Sequence, residues 1–178
     1  LTADGRTLYV ALAGADDDSA RTPLGFPFRY WATDLAMGAM VNVSSNGFIS
    51  LNATAATFSE MIPSTFTPNA TISPYGGDNE NRGAQCVATV GAAPARQQVF
   101  LWNDASHCCD EPSVHLTYEV ILNETGPIDV LYQTMTGSDL SDVGIENQTG
   151  TAGVPGCADG TYVCAPATGL RVRYTPIP

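Results

Sequence analysis

The sequence predicts an all-β protein, an antiparallel β-sandwich of about ten short strands stapled by disulfides. Three observations lead there. Gly and Pro, 17 and 12 of the 178 residues, are spread along the chain with β-branched and aromatic residues between them, which favours short strands joined by turns over long helices. Apolar and polar residues alternate in successive short runs, and no stretch sustains a helical period. There are also five cysteines, more than a core of this size needs for packing alone, in spacings that suit local bridges.

Taken in order, Arg6 to Leu12 (RTLYVAL) reads as a first strand with Leu8, Val10 and Leu12 on one face. The Asp16–Asp18 triplet after it reads as part of a linker, dividing the chain into a strand and linker over 1–15, open to exchange between subunits, and one sandwich domain over 16–178. FPFRYW places Phe26, Phe28 and Tyr30 on one side, with Pro27 marking an edge or a strand start. MVNVSSNGFISL (40–51) is a hairpin in which Asn46-Gly47 suits a type I′ turn, with Val41 and Val43 inward and Asn42 and Ser44 outward. Residues 52–83, rich in Thr, Ser, Asn, Pro and Gly, read as a long irregular excursion with one short strand near Thr71 to Tyr75. Strands at 85–90 and 97–103 make a second hairpin through GAAPAR. Val114 to Leu122 (Val114, Leu116, Tyr118 and Val120 on one face), 127–134, 142–146 and 169–174 complete the meander.

Seven arginines, no lysine and 18 acidic residues give a formal charge of -11. Such a surface repels nucleic acid and anionic membranes alike. No apolar run approaches the length of a membrane span, and Leu1 lacks the charged start of a signal peptide, so it reads as a mature or trimmed end.

Cys157 and Cys164 bracket ADGTYV, a loop with an Asp-Gly turn, and are expected to pair locally. If the strands on either side of GAAPAR pair, Cys86 lies opposite the end of the second strand, where Cys108 and Cys109 emerge. A bridge from Cys86 to one of the two is the expected pairing, with the adjacent-residue disulfide as the rarer alternative. The rival reading of this region is a metal or nucleophile site built from His107, Cys108, Cys109, Asp110 and His115. Zinc sites want paired knuckles, and only one cluster exists here. A nucleophilic cysteine wants an electropositive niche, whereas this loop is acidic.

Asp16, Asp17 and Asp18 could offer oxygens to Ca²⁺, although they lack the spacing of an EF-hand loop. Otherwise no cofactor is expected. No nucleophile elbow, His-Glu-x-x-His pair or phosphate-cradling glycine loop is present, and carboxylate pairs such as Asp139 and Asp142 fall in turns, so no catalytic residue and no enzyme is expected. Asn-x-Ser/Thr triplets begin at Asn42, Asn52, Asn69, Asn123 and Asn147, five of nine asparagines, where chance predicts about one or two. All five are candidate glycosylation sites.

The ordered segments Asp16-Asp17-Asp18, PLGFPFRYW, VNVSSNGFISL, ISPYGGD, GAAPARQQVFLWND, LTYEVILNETGPIDVLYQ and VGIENQTGTAG resemble the nidogen-like domains of secreted proteins, most closely those of bacteria. The likeness runs from Asp16 to Gly153, roughly three quarters of the chain. Its most specific parts are the hairpin around Ser45-Asn46-Gly47-Phe48 and the close at 143–150. It implies an extracellular β-sandwich found in surface, matrix or adhesion proteins, with no catalytic residues to transfer. Gly76 and Gly77 stand where an acidic, aromatic stretch with tryptophan is usual, and the CCDEP and 157–164 loops look like additions.

The function expected from all this is that of a secreted, non-enzymatic structural or adhesion protein, such as a subunit of a filament or matrix built by strand addition, partnered by itself, by other extracellular proteins or by glycans. The alternative is a carbohydrate- or calcium-binding module of a larger secreted enzyme.

Overall fold

The computed structural model describes residues 7–52, 56, 58, 61–109 and 111–176, and everything below concerns these. Their regular structure is all β, in fifteen antiparallel strands. In chain order these are β1 (Thr7–Asp16), β2 (Ser19–Pro23), β3 (Phe28–Tyr30), β4 (Thr33–Leu35), β5 (Met40–Ser44), β6 (Phe48–Ser50), β7 (Thr71–Gly76) and β8 (Asn79–Val90). They continue with β9 (Gln97–His107), β10 (His115–Asn123), β11 (Ile128–Thr136), β12 (Ser141–Glu146), β13 (Gly153–Pro155), β14 (Val163–Cys164) and β15 (Arg171–Tyr174).

One sheet has six strands in the order β1-β8-β9-β10-β11-β15. A second has seven, in the order β13-β12-β7-β6-β5-β2 with β14 also on β12, and β3 and β4 form a small ribbon. The alternation read from sequence explains the core: Phe100 and Trp102 of β9, Leu116, Tyr118 and Val120 of β10, and Val130 and Tyr132 of β11 turn inward. They meet Val41, Val43, Ile49, Ile72 and Tyr75 from the other sheet, with Phe26, Phe28 and Tyr30 closing one side.

Polar links tie the two layers together. Trp102 stacks on Tyr118 at 5.2 Å, and its indole N–H donates to the Ser44 carbonyl (2.9 Å), which also accepts from the Gln85 amide (3.0 Å). The Tyr132 hydroxyl donates to the Pro74 carbonyl (2.7 Å). Each satisfies a group whose burial would otherwise be costly.

Four expectations need correction. First, the described part of the opening segment does not stand apart from the sandwich: β1 pairs with β8 of its own chain from Thr7↔Thr89 to Asp16↔Glu80, and Asp17 and Asp18 form the turn into β2. Second, the β5–β6 turn has three residues, Ser45 to Gly47, since Ser44 pairs with Phe48; only Gly47 adopts positive φ (78°), the pattern of a three-residue hairpin. Third, Asn42 and Ser44 do not face outward. Both are fully buried, and the Asn42 amide donates to the carbonyl of Ala56 (2.9 Å), a residue that follows β6. Fourth, β8 begins six residues before the expected start at Gln85, at Asn79, and β9 runs on to His107, with an irregularity between Asn81 and Ala84.

Candidate functional site

Turns gather the acidic triplet and the cysteine pair at one corner. Ser45 N–H donates to the Asp18 carbonyl (2.9 Å) and Asp18 N–H to the Ser45 hydroxyl (3.0 Å), which locks the β1–β2 turn against the β5–β6 turn. Asn46, buried between them, donates through its amide to Asp17 Oδ1 (3.0 Å). Its Oδ1 accepts from the backbone N–H of Asn79 (2.6 Å), so the same side chain also positions the β7–β8 turn. Asp78 lies in that turn, and its carbonyl accepts from Cys108 N–H (2.9 Å).

This places carboxylate oxygens of Asp16, Asp17 and Asp78 within 4.8 Å of one another, and Asp16 equally close to both sulfurs of Cys108 and Cys109. All three aspartates are exposed. The Asp78 carboxyl is pushed up, first by the local loss of solvent and then by the negative charges of Asp17 and Asp16. Three hard oxygens so placed suit a calcium ion better than a transition metal. Asp18, the third member of the sequence triplet, instead caps its own turn by accepting from Ser19 N–H (2.7 Å). Asp78, which the sequence reading did not single out, takes its place.

The expected bridge from Cys86 is not formed. Cys108 and Cys109 are joined to each other (Sγ–Sγ 2.02 Å) and Cys86 is a free thiol. Register explains it: Cys86 lies opposite Leu101, and Cys108 follows Leu101 by seven residues, a separation of about 23 Å along a strand. Cys157 and Cys164 are bonded (2.07 Å), and β14 carries their loop onto β12 through Ser141↔Cys164.

The two histidines part company. His107 packs on Tyr75, its Nε2 3.4 Å from the phenol oxygen, while His115 Nδ1 lies 2.7 Å from Asp104 Oδ1. The Tyr75 hydroxyl is pushed up to about 12, chiefly by burial. Asp110 lies outside the described residues, and among those described no histidine joins a metal-capable cluster. Of the carboxylate pair Asp139 and Asp142, the second lies within β12 and not in a turn.

Among the sequons only Asn52 is exposed; its amide donates to the Gln148 carbonyl (3.1 Å). Asn42 and Asn69 are buried, so neither presents its amide at the surface of the folded chain. Asn123 and Asn147 are half-buried, the first donating to the Pro127 carbonyl and Asp129 Oδ2, the second to the Thr151 hydroxyl.

Comparison with known families identifies the chain. A family profile described as NIDO related matches residues 2–176, and the chain belongs to that family, an extracellular type of domain. No curated protein and no solved structure matches it.

Proposed function

We propose that this chain is a secreted, non-enzymatic structural or adhesion module that joins copies of itself or other extracellular proteins by strand addition at a sheet edge. The observation that carries the reading is β1: ten residues long, it pairs with β8 on one side and has no strand on its other side among the described residues. A long open edge offers a row of backbone donors and acceptors to an incoming strand. Membership of the family and two disulfides, which persist in oxidising compartments, support placement outside the cell.

The test compares the full chain with a variant lacking residues 1–14 by analytical ultracentrifugation across a concentration series, without reductant. Assembly by the full chain, its loss on deletion and its recovery on adding a peptide of residues 1–16 are expected. A full chain that stays monomeric and captures no extracellular protein, or a deletion that assembles as well as the parent, overturns the reading.

One observation favours a second reading, a calcium-binding module of a larger secreted protein: the convergence of Asp16, Asp17 and Asp78. Extracellular calcium sites work at roughly 0.1–1 mM, so about 1 mM Ca²⁺ should raise the melting temperature of the parent chain and leave Asp16→Asn unmoved. Equal responses refute it.

A further inference from the structure

The outer face of a sandwich sheet ordinarily carries polar residues between those that point into the core. The six-stranded sheet departs from this along one row. Its ladders align Cys86 with Leu101, Leu101 with Glu119, Glu119 with Leu131 and Leu131 with Arg171. Opposed residues of a ladder point to the same side, and the flanking Val87, Phe100, Tyr118 and Val130 are buried in the core, so this row faces out. The next row begins with the apolar Ala88, Val99 and Ile121 and ends in the charged pair Asp129 and Arg173.

Just before β15 the chain builds a wall beside this surface. Gly169 N–H donates to the Tyr132 carbonyl (2.7 Å) and Tyr132 N–H to the Leu170 carbonyl (3.0 Å), which holds Leu170 next to β11. The result is a groove of about 350 Å³ lined by Leu101, Glu119, Leu131, Gln133, Leu170 and Arg171, within the size range of small-ligand sites.

Glu119 is the anomaly in it. The side chain is half-buried, and among the described residues its carboxyl has no hydrogen bond or ion pair. The one cation at the groove, Arg171, is turned to Asp129, with Nε and Nη2 at 3.1 and 2.9 Å from its Oδ1. Loss of solvent is the cause that pushes the Glu119 carboxyl up. A charge among leucines without a partner is costly, and a cation supplied from outside offsets that cost. An anion meets repulsion there, and a neutral apolar molecule would bury the carboxylate further with nothing to pair it.

We propose that this groove binds small organic ammonium ions with an apolar body, the ammonium donating to the Glu119 carboxylate and the hydrocarbon lying on Leu101, Leu131 and Leu170. The site is independent of the strand-edge function.

The test uses hexylammonium, with hexanol and hexanoate as neutral and anionic matches, titrated into the full chain under methyl-detected NMR. Hexylammonium should move the methyl signals of Leu101, Leu131 and Leu170 and bind at least about tenfold tighter than hexanol. Glu119→Gln, conservative at a half-exposed position, should lose about tenfold in hexylammonium affinity and leave hexanol unchanged, while Leu131→Ala should weaken both. Equal binding of hexylammonium and hexanol, full retention by Glu119→Gln, or no shift of these methyls in the parent chain up to roughly 10 mM overturns the proposal. The mapping on the parent chain decides the matter even if a variant fails to fold.

Discussion

Asp129 is the sharpest place to test how the last strand is held. Its side chain is 3% exposed and receives Arg173 through Nε and Nη2 (2.7 and 2.8 Å), Arg171 through Nε and Nη2 (3.1 and 2.9 Å) and the Asn123 amide (3.0 Å). Arg173 first, then Asn123 and Arg171, hold the carboxyl down at about 2 from an ordinary 3.8. At 1.36 kcal/mol per unit this is roughly 2.4 kcal/mol of differential stabilisation. Both guanidinium groups are half in solvent, and screening brings the expectation to about 1–2.4 kcal/mol. The folded pKa is depressed, so the contribution is fully present above the unfolded value near 4 and is lost as pH falls through about 2. Asp129→Asn should therefore lose about 1–2.4 kcal/mol in urea denaturation at pH 7. Its deficit against the parent should narrow below pH 4 and close near pH 2. A deficit that does not change with pH, or one under about 0.5 kcal/mol at pH 7, would refute the ionic account of β15.

Three other outcomes follow from the fold. Gly47→Ala should destabilise by at least about 2 kcal/mol in thermal denaturation, because φ is 78° and the added Cβ would fall 1.9 Å from the Tyr75 carbonyl oxygen; a melting temperature within a degree or so of the parent would contradict this close approach. Replacing Cys157 and Cys164 together by serine should cost roughly 2.5 kcal/mol, the closure entropy of a loop this short, read as a lower urea midpoint that reductant shifts less than it shifts that of the parent, since only the Cys108–Cys109 bond remains to be reduced. Glu146, buried with Oε2 accepting from Ser64 N–H, has its carboxyl pushed up mainly by burial, against the lowering effect of its Ser64 and Thr71 partners. Its contribution is therefore full below the unfolded pKa near 4.5 and lost as pH rises through the folded value, so the stability of Glu146→Gln relative to the parent should increase from pH 4 to pH 7, and a flat difference would argue against it.

The strands that alternate cleanly were legible because period two is the geometry of a half-buried strand: 97–103, 114–122 and 127–134 appear where β9, β10 and β11 lie. The opening of β8 was not. Asn79, Asn81 and Gly83 are poor strand formers, yet Asn79 and Asn81 pair with His107 and Ala105 of β9, and Gly83, within the irregularity that follows, lies so near β9 that a Cβ would collide with the Asn103 carbonyl oxygen. That hidden extension undid the cysteine prediction, since pairing Cys86 with Cys108 or Cys109 assumed a hairpin ending sooner. The outward face given to Asn42 failed for a related reason. Alternation tells which residues share a side, and only the path of a distant segment, here residue 56, tells whether that side is wet.

The candidate sites were half legible in the same sense. Asp16 and Asp17 belong to a visible run, but their companion Asp78 is remote in sequence, and its one signal was the unusual Gly76-Gly77 before it. What brings them together is Asn46, whose amide nitrogen and oxygen reach Asp17 and the backbone of Asn79 from one buried side chain. In sequence it looked only like a turn residue. Asn46→Ala should therefore disturb both turns at once and lower stability, whereas Asp16→Asn, on the exposed rim, should alter calcium response alone. Glu119 was still better concealed: a carboxylate at an outward position of an alternating strand is ordinary by every local rule. Only the ladder that sets Leu101 on one side and Leu131 on the other makes it a charge in apolar surroundings. Its chemistry therefore depends on strand order and register, which no single segment carries.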